Sequence, residues 1–257
     1  MEFTGILEQE EAKFYTKGEV LTILSEVLPS VKDYERELPP NKYVDLALKY
    51  GYLNYRVCTL ADLHSHKLLK SFTYNQKKFF NEAGIFLMMF NEVGGKPVSV
   101  VIRSLKEKLF IDYSLFYTVY GLDMINPNFK YGDWLVLTEG IYDSDSFRVI
   151  YKNIVSMLTS NITLMQAEVL STITDKFLIA FDSDGGGEVG YDVATKRLKA
   201  LNPECRIERL VLYSTDKDLG VMEEKSNDIE AYNLRRSYYS SLVDYIIGGD
   251  GNFYEGF

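Results

Sequence analysis

The feature that most restricts the fold of this chain of 257 residues is an alternation of strand and helix patterns after Tyr131. Short strand-like runs are separated by longer segments in which apolar residues recur at helical spacing. The runs are WLVLT, FLIAF and RIERLVLY, at residues 134–138, 177–181 and 206–213. Strands that alternate with helices build a mainly parallel sheet covered by helices, so this part of the chain is predicted to be an α/β domain.

The alternation sets the predicted domain boundaries at 1–130, 131–222 and 223–257. The first part is predicted to be an α+β subdomain, because IFLMMF and PVSVVIR, joined by a glycine-containing turn, indicate a β-hairpin after a largely helical start. A single helix is predicted between WLVLT and FLIAF, from about Ser144. The last part is predicted to contain one tyrosine-rich helix and a glycine-rich tail.

Composition excludes several classes of protein. The formal net charge of −9 argues against a protein that coats nucleic acid, so any contact with phosphates has to be local. Residues 42–78 are the most basic stretch and carry interleaved aromatic residues, which fits either contact with nucleic acid or a helical surface over core aromatics. The cysteines Cys58 and Cys205 predict neither a disulfide framework nor a zinc site. Without a signal-like start or a membrane-length apolar run, a cytoplasmic protein with no membrane contact is expected.

Acidic residues follow all three predicted strands: Glu139 follows the first, Asp182 and Asp184 the second, and Asp216 and Asp218 the third. In an open α/β sheet, ligands bind beyond the carboxyl ends of the strands, so these acids are expected to converge. Carboxylates suit Mg²⁺ or Mn²⁺, and two such ions support displacement at phosphorus.

Glycines directly after these acids strengthen the prediction. Gly140 follows Glu139, and residues 185–187 follow Asp184, so backbone can turn tightly and approach a phosphate. Taken alone, D-S-D-G-G-G also fits a polar turn that caps a helix. The combination of E-G-I-Y-D at 139–143, D-S-D-G and a third acidic strand end favours a metal site, and it resembles the TOPRIM domain of primases, topoisomerases, OLD-family nucleases and recombination-mediator proteins.

Within that superfamily the chain most resembles the RNA-polymerase core of bacterial-type DNA primases, over roughly residues 38–220. The upstream segments that carry the resemblance are residues 50–85, the hairpin MMFNEVGGKPVSVVIR and the stretch LFYTVYGLD. The resemblance implies the following roles: general acid or base for Glu139, a second catalytic acid for Asp143, metal ligands for Asp182, Asp184 and Asp218, and nucleotide or nucleic-acid contacts for Arg103, Lys96 and Gly140.

The chain also departs from that family. Gly220 stands where a second aspartate is usual, with Asp216 as the candidate substitute, and two basic residues expected upstream are missing. No zinc-binding or helicase region is expected in the chain, so a replicative helicase or a separate zinc-binding protein is the expected partner. A bacteriophage or mobile element is the expected source, which would place the protein in the host cytoplasm.

The resemblance implies synthesis of short RNA primers on single-stranded DNA from nucleoside triphosphates, using Mg²⁺ or Mn²⁺ and no zinc. Two alternatives remain open. The same acids could activate water in a TOPRIM nuclease, although nucleases lack the primase-like hairpin that ends at Arg103. A non-catalytic TOPRIM protein that binds nucleic acid or partners would fit the loss of an acid at Gly220.

Overall fold

A computed structural model describes residues 28, 31–34, 38, 44, 45, 48, 55–58, 85–91, 97–105, 110–113, 119–213, 215–222 and 229–248. Most of the predicted N-terminal helices, most of the basic stretch, Lys96 and the glycine-rich tail lie outside these residues. The contacts divide the chain into two compact units, residues 1–118 and 119–257, and each unit is described by itself.

The first unit contains a four-stranded antiparallel sheet in the order β1-β2-β3-β4. Its strands are Tyr55–Cys58 (β1), Ile85–Asn91 (β2), Pro97–Ser104 (β3) and Phe110–Tyr113 (β4). The predicted hairpin is confirmed, because β2 pairs with β3 from Ile85 opposite Ser104 to Asn91 opposite Pro97. Strands β1 and β4 are not predicted from the sequence.

The second unit contains a four-stranded sheet in the order β6-β5-β7-β8, and every neighbouring pair is parallel. Its strands are Trp134–Thr138 (β5), Ile154–Ser156 (β6), Lys176–Ala180 (β7) and Arg206–Arg209 (β8). Its helices are Ile141–Phe147 (α1), Leu164–Ile173 (α2), Gly185–Leu201 (α3) and Ile229–Gly248 (α4). The predicted α/β class with a mainly parallel sheet is confirmed.

Helices cover both faces of this sheet. On one face, Leu135, Leu137 and Ile179 pack against α2 and α3 through side chains such as Leu170 and Leu198. The opposite face is formed by Trp134, Val136 and Leu178 of the sheet with Phe147 of α1 and Tyr239 and Val243 of α4. The strands are therefore buried on both sides, which explains why they read as continuous apolar runs.

The prediction of a single helix between β5 and β7 is wrong. The chain forms α1, then β6 at the sheet edge, then α2, which begins at a Thr163 cap whose hydroxyl accepts the N–H of Gln166 at 3.0 Å. Because β6 has only three residues, its pattern is hidden between two helical ones. Among the helices in the described ranges, none is both long enough and apolar enough to span a membrane.

Candidate metal and catalytic site

The first two acidic strand ends meet at the carboxyl edge of the second sheet. Strands β5 and β7 are parallel neighbours, with Thr138 opposite Ala180, so the residues that follow them leave the sheet side by side. Oε1 of Glu139 accepts a hydrogen bond from the backbone N–H of Asp182 at 3.1 Å. The convergence of these two strand ends is thus a consequence of the strand order.

The carboxyl group of Glu139 holds its proton more tightly than an ordinary glutamate. Burial and the nearby charge of Asp182 raise its pKa from the ordinary 4.5 to about 7, although the N–H of Asp182 and the cation of Lys217 act in the opposite direction. A general base functions best when its pKa lies near the working pH. The electrostatics therefore suit Glu139 to accept and return a proton near neutrality.

Asp184 begins helix α3 and is more exposed. Its Oδ1 accepts the N–H groups of Gly186 at 3.0 Å and Gly187 at 3.2 Å, which makes it the N-cap of the helix. The hydrogen bond from Gly187 is the largest cause that lowers the pKa of this carboxyl group, and the bond from Gly186 and the cation of Lys217 act in the same direction. Asp184 therefore caps α3, and its expected role as a metal ligand stays a prediction.

A lysine that was not predicted from the sequence completes this group. Nζ of Lys217 lies 3.4 Å from Oδ2 of Asp184 and 4.0 Å from Oδ2 of Asp182. The hydrogen bond with Asp184 and the two negative charges raise the pKa of the ammonium group. Its position between Asp216 and Asp218 in the sequence is the signal that could have marked it.

Backbone bonds fix the third loop beside the second. The N–H of Ser183 donates to the carbonyl of Lys217 at 2.8 Å, and the Ser183 hydroxyl donates to the carbonyl of Asp216 at 3.2 Å. The loop that follows β8 is therefore attached to the D-S-D segment after β7.

Asp218 and Gly220 form the tightest part of this loop. Oδ1 of Asp218 accepts the N–H of Gly220 at 2.9 Å and so caps a short 3-10 helix, Leu219–Val221. A Cβ atom at position 220 would lie 2.5 Å from Cδ1 of Tyr142. The ring of Tyr142 thus fills the space where a second aspartate would have to begin, which explains the glycine.

Asp216 does not substitute for that missing acid. It is buried, its Oδ1 accepts Nε of Arg235 at 2.7 Å, and its Oδ2 accepts the hydroxyl of Tyr239 at 2.9 Å. Both partners belong to α4. The structure therefore gives Asp216 the role of attaching the last helix to the third acidic loop.

Asp143 and Gly140 interact with one another. Oδ2 of Asp143 accepts the N–H of Gly140 at 3.1 Å across the first turn of α1, and Asp143 is only 9% exposed. This bond fixes the turn that carries Glu139 and explains why α1 begins at Ile141, earlier than the predicted Ser144. The catalytic role expected of Asp143 stays a prediction.

Glu139, Asp182 and Asp184 follow β5 and β7 at this edge of the sheet, and carboxylate oxygens are ligands that suit Mg²⁺ or Mn²⁺. As the side chains stand, no three His, Cys, Asp or Glu groups among the described residues enclose a metal position. Lys217 already pairs with two of the carboxylates, and Asp218 caps its own turn. Binding of an ion to this set therefore requires side chains to move.

The two basic candidates belong to the first unit. Arg103 is half-buried on β3, opposite Phe86 of β2, and Lys96 lies outside the described residues. Their expected contact with nucleotide or template stays a prediction.

Sequence comparisons find neither a matching family profile nor a matching curated protein. Solved structures do match in fold. A DNA primase domain from Pseudomonas aeruginosa superposes with a TM-score of 0.62 at 13% identity, covering 86% of this chain and 78% of that one. The DnaG primase catalytic domain bound to single-stranded DNA gives 0.59 at 13% identity, covering 95% and 86%.

A third match comes from a virus. The primase fragment of the bacteriophage T7 primase-helicase protein superposes with a TM-score of 0.51 at 16% identity, covering 76% of this chain and 70% of that one. At such identities the likeness concerns the fold, and it agrees with the resemblance expected from the sequence. The chain has the fold of primase catalytic domains.

Proposed function

We propose that this chain is the catalytic core of a DNA primase, which joins ribonucleotides on a single-stranded DNA template. The observation that carries the proposal is the pairing of Glu139, whose pKa is raised to about 7, with Asp182 at the carboxyl edge of a sheet with the primase fold. A proton acceptor beside a carboxylate cluster is what nucleotidyl transfer needs.

In this mechanism Asp182, Asp184 and Asp218 would hold Mg²⁺ or Mn²⁺. The ions would supply positive charge to the triphosphate and to the attacking oxygen. The 3′-oxygen of one nucleotide forms a bond to the α-phosphorus of the next, and the bond to pyrophosphate breaks. Glu139 takes the proton from the 3′-hydroxyl, and Asp143 keeps the Gly140 turn in place so that Glu139 faces Asp182.

The proposed substrates and partners are based on two of the structural neighbours. One neighbour is a primase catalytic domain solved with single-stranded DNA, and another is a fragment of a primase-helicase protein. From the first neighbour we propose that this chain also uses a single-stranded DNA template. Arg103 and Lys96 are proposed to contact the nucleotide or the template. The second neighbour supports a replicative helicase as partner. A separate zinc-binding protein for template selection and a location in a host cell cytoplasm are proposed on the resemblance of the sequence alone.

The test is incubation of the full chain with single-stranded DNA of mixed sequence, labelled ribonucleotides, and Mg²⁺ or Mn²⁺. Short labelled RNA that disappears in Asp182→Asn is expected, because the amide removes a metal-binding charge at nearly constant shape. Lys196→Met, on the exposed side of α3, is the matched surface control and should remain active. Absence of RNA product with every template and metal would overturn the proposal.

One observation favours a second candidate, a non-catalytic protein that binds nucleic acid or partners. Lys217 neutralises part of the charge of Asp182 and Asp184, and the ring of Tyr142 fills the space that a second aspartate at position 220 would need. Binding of single-stranded DNA that is unchanged by Mn²⁺ would support this candidate. Cleavage of DNA or RNA without incorporation would instead indicate a TOPRIM nuclease.

A further inference from the structure

We propose that Lys217 is an internal competitor for the metal ion, so that divalent cations bind weakly to the free protein and tightly only together with a nucleoside triphosphate. The inference rests on the proposed function, because it concerns the same carboxylates. It adds a dependence of metal binding on nucleotide that the acids alone would not provide.

The ammonium group of Lys217 lies beside the two carboxylates that the proposed function assigns to a metal ion. Nζ of Lys217 is 3.4 Å from Oδ2 of Asp184 and 4.0 Å from Oδ2 of Asp182, so one charge interacts with both carboxylates. A Mg²⁺ ion would have to approach these oxygens to about 2.0–2.1 Å. At that distance from the oxygens the ion would also lie a few ångströms from Nζ, and the two cations would repel each other.

The loop is built so that the side chain can leave while the backbone stays. The carbonyl of Lys217 accepts the N–H of Ser183 at 2.8 Å, and the preceding Asp216 is held by Arg235 and Tyr239 of α4. In contrast, the side chain of Lys217 is 61% exposed and can turn into solvent. Displacement therefore breaks the ion pairs without disturbing the loop that carries Asp218.

A displaced ammonium group gains a new partner only when an anion is present. The triphosphate of a nucleotide brings negative charge to the same edge of the sheet, so it can interact with the released Lys217 as the metal binds. The two ligands then favour each other's binding, and the coupling must be equal in both directions. Lysine thereby reduces occupation of the site by metal without nucleotide.

Two substitutions separate charge from shape. Lys217→Met removes the ammonium group but keeps a long side chain, and it should raise the affinity for Mn²⁺ alone by about 1.5- to 5-fold, the range expected for exposed ion pairs. It should also reduce the gain in Mn²⁺ affinity that a nucleotide provides. Lys217→Arg keeps the charge and should retain weak binding of Mn²⁺ and the coupling.

The experiment is calorimetric titration of Mn²⁺ into the full chain, with and without a non-hydrolysable ATP analogue. Lys196→Met is the matched control, because it removes the same charge from an exposed position on α3 away from the pair. Tighter Mn²⁺ binding and weaker coupling in Lys217→Met, with Lys196→Met like the original chain, supports the inference.

Two other outcomes overturn the inference and are distinguishable. Equal Mn²⁺ affinity in the original chain and Lys217→Met, with both losing binding on Asp182→Asn, would show a metal site for which Lys217 does not compete. No Mn²⁺ binding to any variant, with or without the analogue, would overturn the inference and the proposed function together.

Discussion

The hydroxyl of Tyr239 donates a hydrogen bond of 2.9 Å to Oδ2 of Asp216, and this bond joins the last helix to the third acidic loop. Arg235, one turn earlier on α4, donates to Oδ1 of the same carboxylate at 2.7 Å. Burial raises the pKa of Tyr239, so its hydroxyl stays protonated and remains a donor at neutral pH. Helix α4 is thus part of the support of the candidate site.

Replacing Arg235 with methionine should destabilise the second unit strongly. Asp216 would keep the hydroxyl of Tyr239 but would lose its cationic partner while remaining buried. An unpaired buried charge costs about 3–5 kcal/mol in the free energy of unfolding. Urea unfolding measures this cost. Arg236→Met, an exposed neighbour on the same helix, should change it by less than about 0.5 kcal/mol, and equal effects of the two substitutions would contradict the assignment.

The proton on Glu139 should make stability depend on pH. Because its pKa in the folded protein is about 7, against an ordinary 4.5, the folded state binds this proton more tightly than the unfolded chain does. The stabilisation is complete below pH about 4.5 and is lost as the pH rises through 7. Glu139→Gln cannot lose a proton, and its amide oxygen can still accept the N–H of Asp182.

The measurement is the free energy of unfolding at pH 5 and pH 8, in EDTA so that metal ions do not contribute. Relative to the original chain, Glu139→Gln should become more stable as the pH rises between these values. Glu168→Gln, at an exposed position on α2, serves as control and should follow the original chain. A pH dependence of Glu139→Gln that matches the original chain would show that Glu139 does not carry the effect.

In the first turn of α3, glycine is required at position 187 but not at position 185. A Cβ at Gly187 would collide with the backbone carbonyl of Asp182, whereas a Cβ at Gly185 would meet no atom within 4 Å. Gly187→Ala should therefore cost more than about 1 kcal/mol and displace Asp182, while Gly185→Ala should be neutral or stabilise by up to about 1 kcal/mol. Thermal unfolding and Mn²⁺ affinity measured on both variants test this, and equal behaviour would contradict the geometry.

How far the sequence predicts this site depends on the kind of interaction. Glu139 and Asp182 converge because β5 and β7 are parallel neighbours. The alternating pattern of strands and helices predicts the parallel sheet and the side on which ligands bind, but not the order of the strands. The ion pairs of Lys217 with Asp182 and Asp184 depend on how the loops after β7 and β8 lie against each other. Contacts between loops produce no periodic pattern in the sequence. Asp216 and Asp218 are alike in sequence, and only the packing of α4 decides which of them is buried.

The sequence pattern likewise predicts some strands of the fold and misses others. Long apolar runs predict β5 and β7 well, because both faces of these strands are buried. The three residues of β6 form a strand by pairing with the edge of β5, from Val136 opposite Ile154 to Thr138 opposite Ser156. Such tertiary pairing overrides local preference and explains why the sequence pattern predicts one helix where α1, β6 and α2 occur.

Two substitutions should distinguish the role of Asp184 as a helix cap from its proposed role as a metal ligand. Asp184→Asn keeps an oxygen that can accept the N–H groups of Gly186 and Gly187, whereas Asp184→Ala loses this cap. The alanine variant should unfold at a lower urea concentration than the original chain, and the asparagine variant should unfold close to the original chain, because only alanine loses the cap. Both should lose Mn²⁺ affinity, since both remove the carboxylate charge that the proposed function assigns to a metal ligand. Urea unfolding and calorimetry on the same samples distinguish the roles. If Asp184→Asn bound Mn²⁺ as the original chain does, Asp184 would be a helix cap alone.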